Sequence, residues 1–416
     1  MTRSQITQLF TPDLTDYPNR RYDLDWLRVL AFGVLIFYHI GMMYVQNWNY
    51  HIKSEYKSDF LENIMLLVNP WRIPLLWMIS GIAIRFILAK VAIQQFLIVR
   101  SYRLLLPLLF AILVIIPPQL YYQMKFQGEI TMNYWTFLQH FFVLNDPLFK
   151  QHQAGIFHHI DVNHLWYLRE LWKFSLALVM LIPFLNSRYV TKLLDGLTKQ
   201  HGFVLTLLLT CPFLLIEILI PDPNNALGFA FLTLGYLLGW RVEIWHKLKQ
   251  NCFLFLGVAL VFYIILVFFY HYFWLNQPAN HHSMTLLIGA IIHSIDRTLW
   301  LLAILGLGHK YLNRNSPLLS YFNEAVYPYY ILHQTFIIVI GYQLSQHHLG
   351  PIIEPLLLII LTFISCMLGF DIIRRVHILR PLFGLKMKIE LPIWALYLMR
   401  AVLIIILVLF GLKVLI

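Results

Sequence analysis

An aspartate, an arginine and a histidine interrupt the first long apolar run of the chain, Leu24–His39 (LDWLRVLAFGVLIFYH). A helix turns about 100° and rises about 1.5 Å per residue, so the eleven steps from Arg28 to His39 make three turns plus roughly 20° and separate the two residues by roughly 16 Å on one face. Asp25 precedes Arg28 by three positions and shares that face. An imidazole exchanges protons near neutral pH and a guanidinium binds anions, so this stripe suits acid–base chemistry beside an anionic group.

Further polar side chains interrupt later apolar runs. They are Arg72 and Ser80 in NPWRIPLLWMISG, Arg100 and Arg103 in RSYRLLLP, His164 and Trp166 in HLWYL, and Tyr330 and His333 in EAVYPYYILH. Arg100 and Arg103 are three positions apart, so they share a helix face and form a cationic pair suited to phosphate groups. Because ionisable groups that face lipid are costly, we expect these side chains to face protein or water.

Each of these positions also has a purely structural interpretation, which the sequence leaves open. Polar groups within membrane helices often hydrogen-bond to one another or mark the cytoplasmic side, and small residues allow helices to pack closely. The structural alternatives are a core hydrogen bond for His39, an internal pair for Tyr330 and His333, neutralisation of Arg72 by Asp296, close packing at Ser80 and Gly81, and a topological role for Arg100 and Arg103.

The composition indicates the fold class that must position these residues. The 416 residues are 59% hydrophobic and 12% charged, with a mean hydropathy of +0.68. Apolar runs of about 18 to 25 residues are long enough to cross a hydrocarbon core of roughly 30 Å. We therefore predict an all-α, polytopic transmembrane helical bundle of about 10 or 11 spans, with residues 1–25 as a cytoplasmic polar tail and 26–416 as a single transmembrane domain. The predicted spans are 26–46, 63–87, 102–122, 164–185, 203–221, 226–245, 253–275, 284–308, 322–345, 353–373 and 394–414.

The basic residues set the predicted orientation. The formal net charge is +11, but Lys and Arg concentrate in alternate connecting segments, as the positive-inside rule requires of cytoplasmic segments. We therefore predict an integral protein of a bacterial inner membrane with a cytoplasmic amino terminus and with membrane lipid as a partner. Since topology accounts for the basic excess, no nucleic-acid partner is expected. The three cysteines have no metal-like spacing, so we expect neither a metal site nor disulfides.

Taken together, the motifs resemble the signature of the integral-membrane acyltransferase-3 family. The first-span pattern of that family, an arginine followed by ten residues and a histidine, is matched by Arg28 and His39 within DLDWLRVLAFGVLIFYH. Its second-span pattern is matched by RIPLLWMISG, and its RxxR motif with proline by RSYRLLLP. Its His-Leu-Trp motif is matched by HLWYL, and its late tyrosine-rich span by SYFNEAVYPYYILHQ. The resemblance runs from about residue 22 to about residue 385. FNEAVYPYYILH and ILRPLF look most similar to the branch that succinylates periplasmic glucans.

This resemblance implies an enzyme that moves an acyl group, acetyl or succinyl, from cytoplasmic acyl-coenzyme A to a hydroxyl of an extracytoplasmic glycan or another acceptor. Acyl-coenzyme A is then a co-substrate, and no permanently bound cofactor is expected. The resemblance implies catalytic roles for His39, as general base or as a transiently acylated group, and for Arg72, as stabiliser of an oxyanion. The residues expected to bind substrate are Asp25, Arg28, Ser80, Arg100, Arg103, His164, Trp166, Tyr330 and His333.

The sequence departs from the family pattern in two places. Arg169 and Glu170 follow HLWYL where apolar residues are expected, and an eleventh span extends the usual ten. Arg169 or Arg297 would suit the free carboxylate of a dicarboxylic acyl chain.

Two alternative functions also fit these residues. A secondary transporter or exporter of an anionic small molecule would also use buried Arg and His, although the sequence shows no internal repeat. A sensor or assembly partner that has lost the chemistry is the second alternative, although such a protein is expected to have lost part of the motif set.

Overall fold

A computed structural model describes residues 20–152, 155–276, 283–386 and 393–415. Within these ranges the chain forms α-helices, and the described residues contain no strand beyond an isolated bridge between Phe157 and Ile160. The helices are α1 Tyr22–Met42, α2 Asp59–Leu88, α3 Ile93–Val114, α4 Pro117–Phe126, α5 Tyr134–Phe141, α6 Trp166–Leu185, α7 Arg188–Lys199, α8 Gly202–Leu219, α9 Asn224–Leu238, α10 Val242–Phe269, α11 Ser283–Tyr311, α12 Pro317–Ser345, α13 Gly350–Arg375, α14 Leu379–Leu382 and α15 Ile393–Leu415.

Ten of the eleven predicted spans each correspond mainly to one of these helices, and the span 102–122 covers α3 and α4. Seven helical segments are long and apolar enough to cross a membrane by length and composition. They are α1, α2, α3 continued by α4, α8, α10 with the π-helical turn Tyr270–Trp274, α11 and α13. A helix pairs its backbone N–H and C=O groups internally, which a segment in lipid requires. The predicted all-α, polytopic transmembrane bundle is confirmed.

The other four predicted spans, in α6, α9, α12 and α15, fall short of that length or hydropathy in the described residues. The first turns of α6 carry Arg169, Glu170 and Lys173, and α9 has only 15 residues. In helix α12 the aliphatic residues are interrupted by five Tyr and by Asn323, Glu324, His333, Gln334 and Gln343, which lower its mean hydropathy. Whether the bundle has 10 or 11 spans therefore stays a prediction.

The described helices group into two compact units that interleave along the chain. The first takes the described residues of Met1–Val34, Glu62–Phe96 and Phe174–Leu319, and the second those of Leu35–Leu61, Leu97–Lys173 and Ser320–Ile416. Because each unit is assembled from separate stretches, this grouping does not test the predicted boundary between a tail at 1–25 and a single domain at 26–416. Most of the predicted tail lies outside the described residues.

In the first unit, two glycines bring α2 and α9 into backbone contact. Gly81 lies against the carbonyl of Leu232, and Gly235 lies against the carbonyl of Met78. At either position an added Cβ would overlap the backbone of the other helix. Small residues thus allow two helices to approach where larger side chains would separate them, and the packing interpretation of Gly81 describes its position well.

The core of the second unit joins α1 to α12 and α13. Its buried members are Ile36, Ile40, Met43, Tyr44, Ile52, Ile337, Ile338 and Leu358. The long segment between α3 and α6 forms α4 and α5. The ring of Tyr122 in α4 lies 5.1 Å from that of Tyr342 in α12, which joins this segment to the same core. The core fixes the part of α1 that carries His39 against the part of α12 that carries His333.

Candidate active site

His39 of α1 and His333 of α12 form a hydrogen-bonded pair in the second unit. His39 Nδ1 lies 2.8 Å from His333 Nε2, and the two rings are nearly parallel, with an interplanar angle of 6° and centroids 5.0 Å apart. His333 is fully buried. Its Nδ1 lies 2.8 Å from the carbonyl oxygen of Tyr330 and 3.2 Å from that of Tyr329. Both nitrogens of His333 therefore have a partner.

The backbone carbonyls determine where the protons of this pair reside. A carbonyl oxygen only accepts, so Nδ1 of His333 carries a proton and, in the neutral ring, Nε2 carries the lone pair. That lone pair accepts a hydrogen bond from Nδ1–H of His39, which leaves the basic lone pair of His39 on Nε2. The pair thus makes His39 a proton acceptor whose orientation and tautomer are fixed by His333.

His164 and Tyr330, two of the predicted site residues, hold α12 in place beside this pair. The Tyr330 hydroxyl donates to the His164 carbonyl at 2.6 Å, and His164 Nε2 donates to the Ile331 carbonyl at 3.2 Å. The ring of His164 meets that of His333 edge-on, with centroids 5.2 Å apart. Tyr330 and His333 are joined through the Tyr330 carbonyl and not through its hydroxyl. All three residues are buried.

Three amide side chains, Gln119, Asn163 and Gln334, extend this arrangement as an amide network. Gln119 accepts from Asn163 at 2.8 Å and donates to Thr335 Oγ1 at 2.7 Å. Gln334 donates to Asn163 at 3.3 Å and to His51 Nε2 at 3.0 Å. These three residues are not among those predicted from the sequence. Asn163 immediately precedes His164 and Gln334 immediately follows His333, and that adjacency to predicted site residues was the available signal.

His51, in the loop after α1, ends the amide network. Its Nδ1 faces Oε1 of Gln123, and its Nε2 faces the side-chain nitrogen of Gln334. Burial lowers the pKa of His51 below its ordinary value of 6.5, and the hydrogen bonds with Gln123 and Asn163 and the charge of Asp161 oppose this shift only in part. His51 is therefore neutral at pH 7, with Nδ1 as donor and Nε2 as acceptor.

Arg100 and Arg103 lie on α3 in the second unit. Arg103 is exposed and Arg100 is half-buried. Tyr327 of α12 donates its hydroxyl to the carbonyl oxygen of Arg103 at 2.9 Å, and both Tyr167 and Tyr327 lie within electrostatic reach of the Arg100 guanidinium. This cationic pair, bordered by aromatic side chains, is suited to phosphate groups because a guanidinium binds them with two parallel hydrogen bonds.

Trp166 is the first residue of α6, half-buried, with its ring 6.3 Å from that of Tyr167. The charges that follow it compensate one another. Arg169 Nε lies 2.7 Å from the Glu170 carboxylate, and Lys173 Nζ lies 3.8 Å from the same oxygen. Arg169 is therefore paired with a carboxylate of its own helix.

Four predicted site residues, Asp25, Arg28, Arg72 and Ser80, belong to the first unit. Asp25 and Arg28 form an ion pair of 3.6 Å, as their spacing on α1 predicts. Arg72 donates to Asn69 Oδ1, one turn earlier on α2, at 2.6 Å. Ser80 is half-buried next to the close contact at Gly81. Arg28 and His39 lie on one continuous helix, α1, and contribute to different units.

A cluster of ionisable side chains joins α8 to α11 inside the first unit. Glu217 of α8 accepts hydrogen bonds from Ser294, His293 and Arg297, the last two at 3.3 Å. The charge of Arg297 is thus balanced by Glu217, as the charge of Arg169 is balanced by Glu170. Among the described residues, no group of three or more His, Cys, Asp or Glu side chains is arranged to hold a metal ion.

Comparison with known proteins places the chain in a family. The acyltransferase-3 family model, described as an acyltransferase domain, matches residues 21–371, a range that contains every predicted site residue. Glucans biosynthesis protein C of Salmonella schwarzengrund (strain CVM19633) is 22% identical over 392 residues, which cover 89% of this chain and 96% of that protein. No solved structure matches the chain significantly. The chain belongs to the acyltransferase-3 family and is an acyl-transferring membrane enzyme.

Proposed function

We propose that this enzyme transfers an acyl group from acyl-coenzyme A, on the cytoplasmic side of the membrane, to a hydroxyl of an extracytoplasmic glycan, with His39 as general base. The observation that supports this proposal most directly is the pairing of His39 with buried His333. A histidine whose tautomer is fixed by a second group is the usual arrangement for activating a hydroxyl at neutral pH.

In the proposed step, Nε2 of His39 accepts the hydroxyl proton while the acceptor oxygen attacks the thioester carbonyl. The C–O bond forms, the C–S bond breaks, and the proton passes from His39 to the departing sulfur. The products are an ester and the coenzyme A thiol, with no net gain or loss of protons. A transient acyl-His39 is the alternative course. The role of Arg72 as stabiliser of the oxyanion stays a prediction.

Arg100 and Arg103 are the proposed contacts for the phosphates of coenzyme A. They follow Arg85 and Lys90 in a basic stretch that the positive-inside rule assigns to the cytoplasm. The Arg103 side chain is exposed, so no other part of the described protein covers it. The resemblance adds Arg28 as a further phosphate contact.

Both acetyl and succinyl are proposed as the acyl group, and the structure bears on the choice at two positions. A succinyl group carries a free carboxylate, which needs a cation beside it. Arg169 and Arg297, the two cations considered for this purpose, are paired with Glu170 and Glu217. Acetyl needs no such partner. The relative from Salmonella is named for glucan biosynthesis, which makes a glucan the first acceptor to test.

The test is mass spectrometry of extracytoplasmic glycans from a deletion strain carrying wild-type protein, His39→Ala or His347→Ala. His347 is an exposed histidine outside the site, so its variant controls for the loss of an imidazole as such. We expect an acyl mass shift with wild type and His347→Ala and none with His39→Ala, at equal protein levels in the membrane. The size of the shift identifies the acyl group.

Wild-type modification by His39→Ala would overturn the catalytic role of His39. Identical glycans in the deletion and complemented strains would overturn the glycan acceptor. In that case, hydrolysis of acyl-coenzyme A by purified protein, measured with candidate small hydroxyl acceptors, would separate another acceptor from a transporter.

A further inference from the structure

The chain after α13 folds back as a short strap, residues 376–386, which contains α14. The buried guanidinium of Arg380 holds this strap together. Its Nε donates to the Lys386 carbonyl at 2.7 Å, and its two terminal nitrogens donate to the Arg374 carbonyl at 2.8 Å and to Glu324 Oε1 at 3.0 Å. One side chain thus closes the strap on itself, binds the last turn of α13 and joins the strap to α12.

Beyond Arg380 the strap contacts α3 and α12. The ring of Phe383 meets that of Phe110 on α3 edge-on, with centroids 5.5 Å apart. Gly384 has a φ of +73° and lies directly against the ring of Tyr327, where an added Cβ would overlap the ring carbons. Glycine meets both conditions because it lacks a Cβ and adopts the left-handed region without strain. The strap therefore fixes the position of the Tyr327 ring.

Tyr327 transmits this constraint to the cationic pair on α3. In a regular helix the Arg103 carbonyl would accept from the N–H of residue 107, but residue 107 is a proline, which has no N–H. The Tyr327 hydroxyl donates to this carbonyl instead, at 2.9 Å. The proline of RSYRLLLP thus leaves the Arg103 carbonyl available as an acceptor, and Tyr327 of α12, whose ring contacts the strap, supplies the donor.

We propose that the strap is a positioning element for the acyl-donor site: through Gly384 and Tyr327 it sets the backbone of Arg103, and thereby the affinity for the phosphates of acyl-coenzyme A. This inference rests on the proposed function, in which Arg100 and Arg103 bind those phosphates. It also assigns a role to the ILRPLF stretch, because Arg380, which holds the strap together, is the arginine of that stretch.

Two glycines in left-handed conformations provide a matched test. Gly128 has a φ of +74° with no atom within 4 Å of an added Cβ, whereas Gly384, at +73°, faces the Tyr327 ring. Alanine imposes the same backbone strain at both positions, but only Gly384→Ala pushes a methyl group into Tyr327. Tyr327→Phe removes the hydroxyl bond to Arg103 and keeps the ring.

The measurement is the Kd of full-length, detergent-solubilised protein for coenzyme A and for pantetheine, which lacks the phosphates. We expect Gly384→Ala to weaken coenzyme A binding about tenfold and Tyr327→Phe about three- to tenfold. Gly128→Ala should equal wild type, and pantetheine binding should be unchanged in all variants. A role confined to stability would not distinguish the two ligands.

Arg103→Ala separates failure of this inference from failure of the donor site. If Arg103→Ala weakens coenzyme A binding but Gly384→Ala and Tyr327→Phe do not, the strap inference is overturned and the donor site stands. If Arg103→Ala has no effect, both are overturned. Should Gly384→Ala fail to fold, Tyr327→Phe alone decides the matter, because it adds no atom to the packing.

Discussion

The pairing with His39 adds a second hypothesis for His333, beside the predicted contact with substrate, which stays a prediction. It accepts from His39 through Nε2 only because Tyr329 and Tyr330 hold the proton on its Nδ1. Without that acceptor, the imidazole of His39 is able to rotate and to place its proton on Nε2, where it no longer serves as a base. We therefore propose that His333 is a positioning residue for His39.

We predict that His333→Phe lowers kcat about 100-fold or more, because the ring volume stays but the acceptor for His39 Nδ1–H is lost. His333→Gln keeps an acceptor oxygen and is expected to retain part of the activity. KM for acyl-coenzyme A should stay within about twofold in both variants, because the proposed phosphate contacts are elsewhere. Steady-state kinetics on purified protein measure this split. A wild-type kcat in His333→Phe would contradict the positioning role.

At the scale of elements, α12 has to carry polar side chains for the candidate site and also to lie in an apolar membrane. It supplies Tyr327, Tyr330, His333 and Gln334 to the site, and these polar side chains make it less apolar than an ordinary span. Such a helix is stable in a membrane only where its polar groups form hydrogen bonds with other parts of the protein. Here the contacts with His164 and with the amide network provide these bonds. The polar composition of α12 is therefore the one expected of a helix that supplies residues to the candidate site.

The contact between α2 and α9 makes a separate prediction for stability. Gly81→Ala or Gly235→Ala places a methyl group into the backbone of the facing helix, so either should destabilise the protein by about 1–3 kcal/mol or more. Gly257→Ala in α10 is the control, since no atom lies within 4 Å of an added Cβ, and its effect should stay within about 1 kcal/mol. Thermal unfolding in detergent compares the three variants. Equal stability of all three would contradict the close contact.

At the scale of the whole molecule, the charge pattern predicts the side from which the donor enters. Acyl-coenzyme A does not cross membranes, so sealed inside-out vesicles should consume it from the bath and sealed right-side-out vesicles should not. Detergent permeabilisation should make the two preparations equal. Consumption by intact right-side-out vesicles would overturn the cytoplasmic placement of Arg100 and Arg103.

The sequence predicted the helical class and the local spacings better than the contacts between distant segments. Apolar runs predict helices in lipid, and the i, i+3 spacing of Asp25 and Arg28 predicts their ion pair. The pairing of His39 with His333 spans 294 residues, so no periodicity indicates it. Gln119 was missed because an isolated amide has no characteristic pattern, and its three side-chain partners come from two distant segments.

The backbone carbonyls of Tyr329 and Tyr330, which accept from His333 Nδ1, prevent proton transfer beyond the His333 ring. Nδ1 of His333 keeps its proton because a backbone carbonyl is too weak a base to take it at neutral pH. A proton that His39 collects therefore has no route onward through His333 and returns to the departing sulfur. For an acetyl group, which carries no charge across the membrane, the proposed transfer is then electroneutral and independent of the proton-motive force. The thioester alone drives it, so the enzyme would continue to modify its acceptor in a cell whose membrane is de-energised.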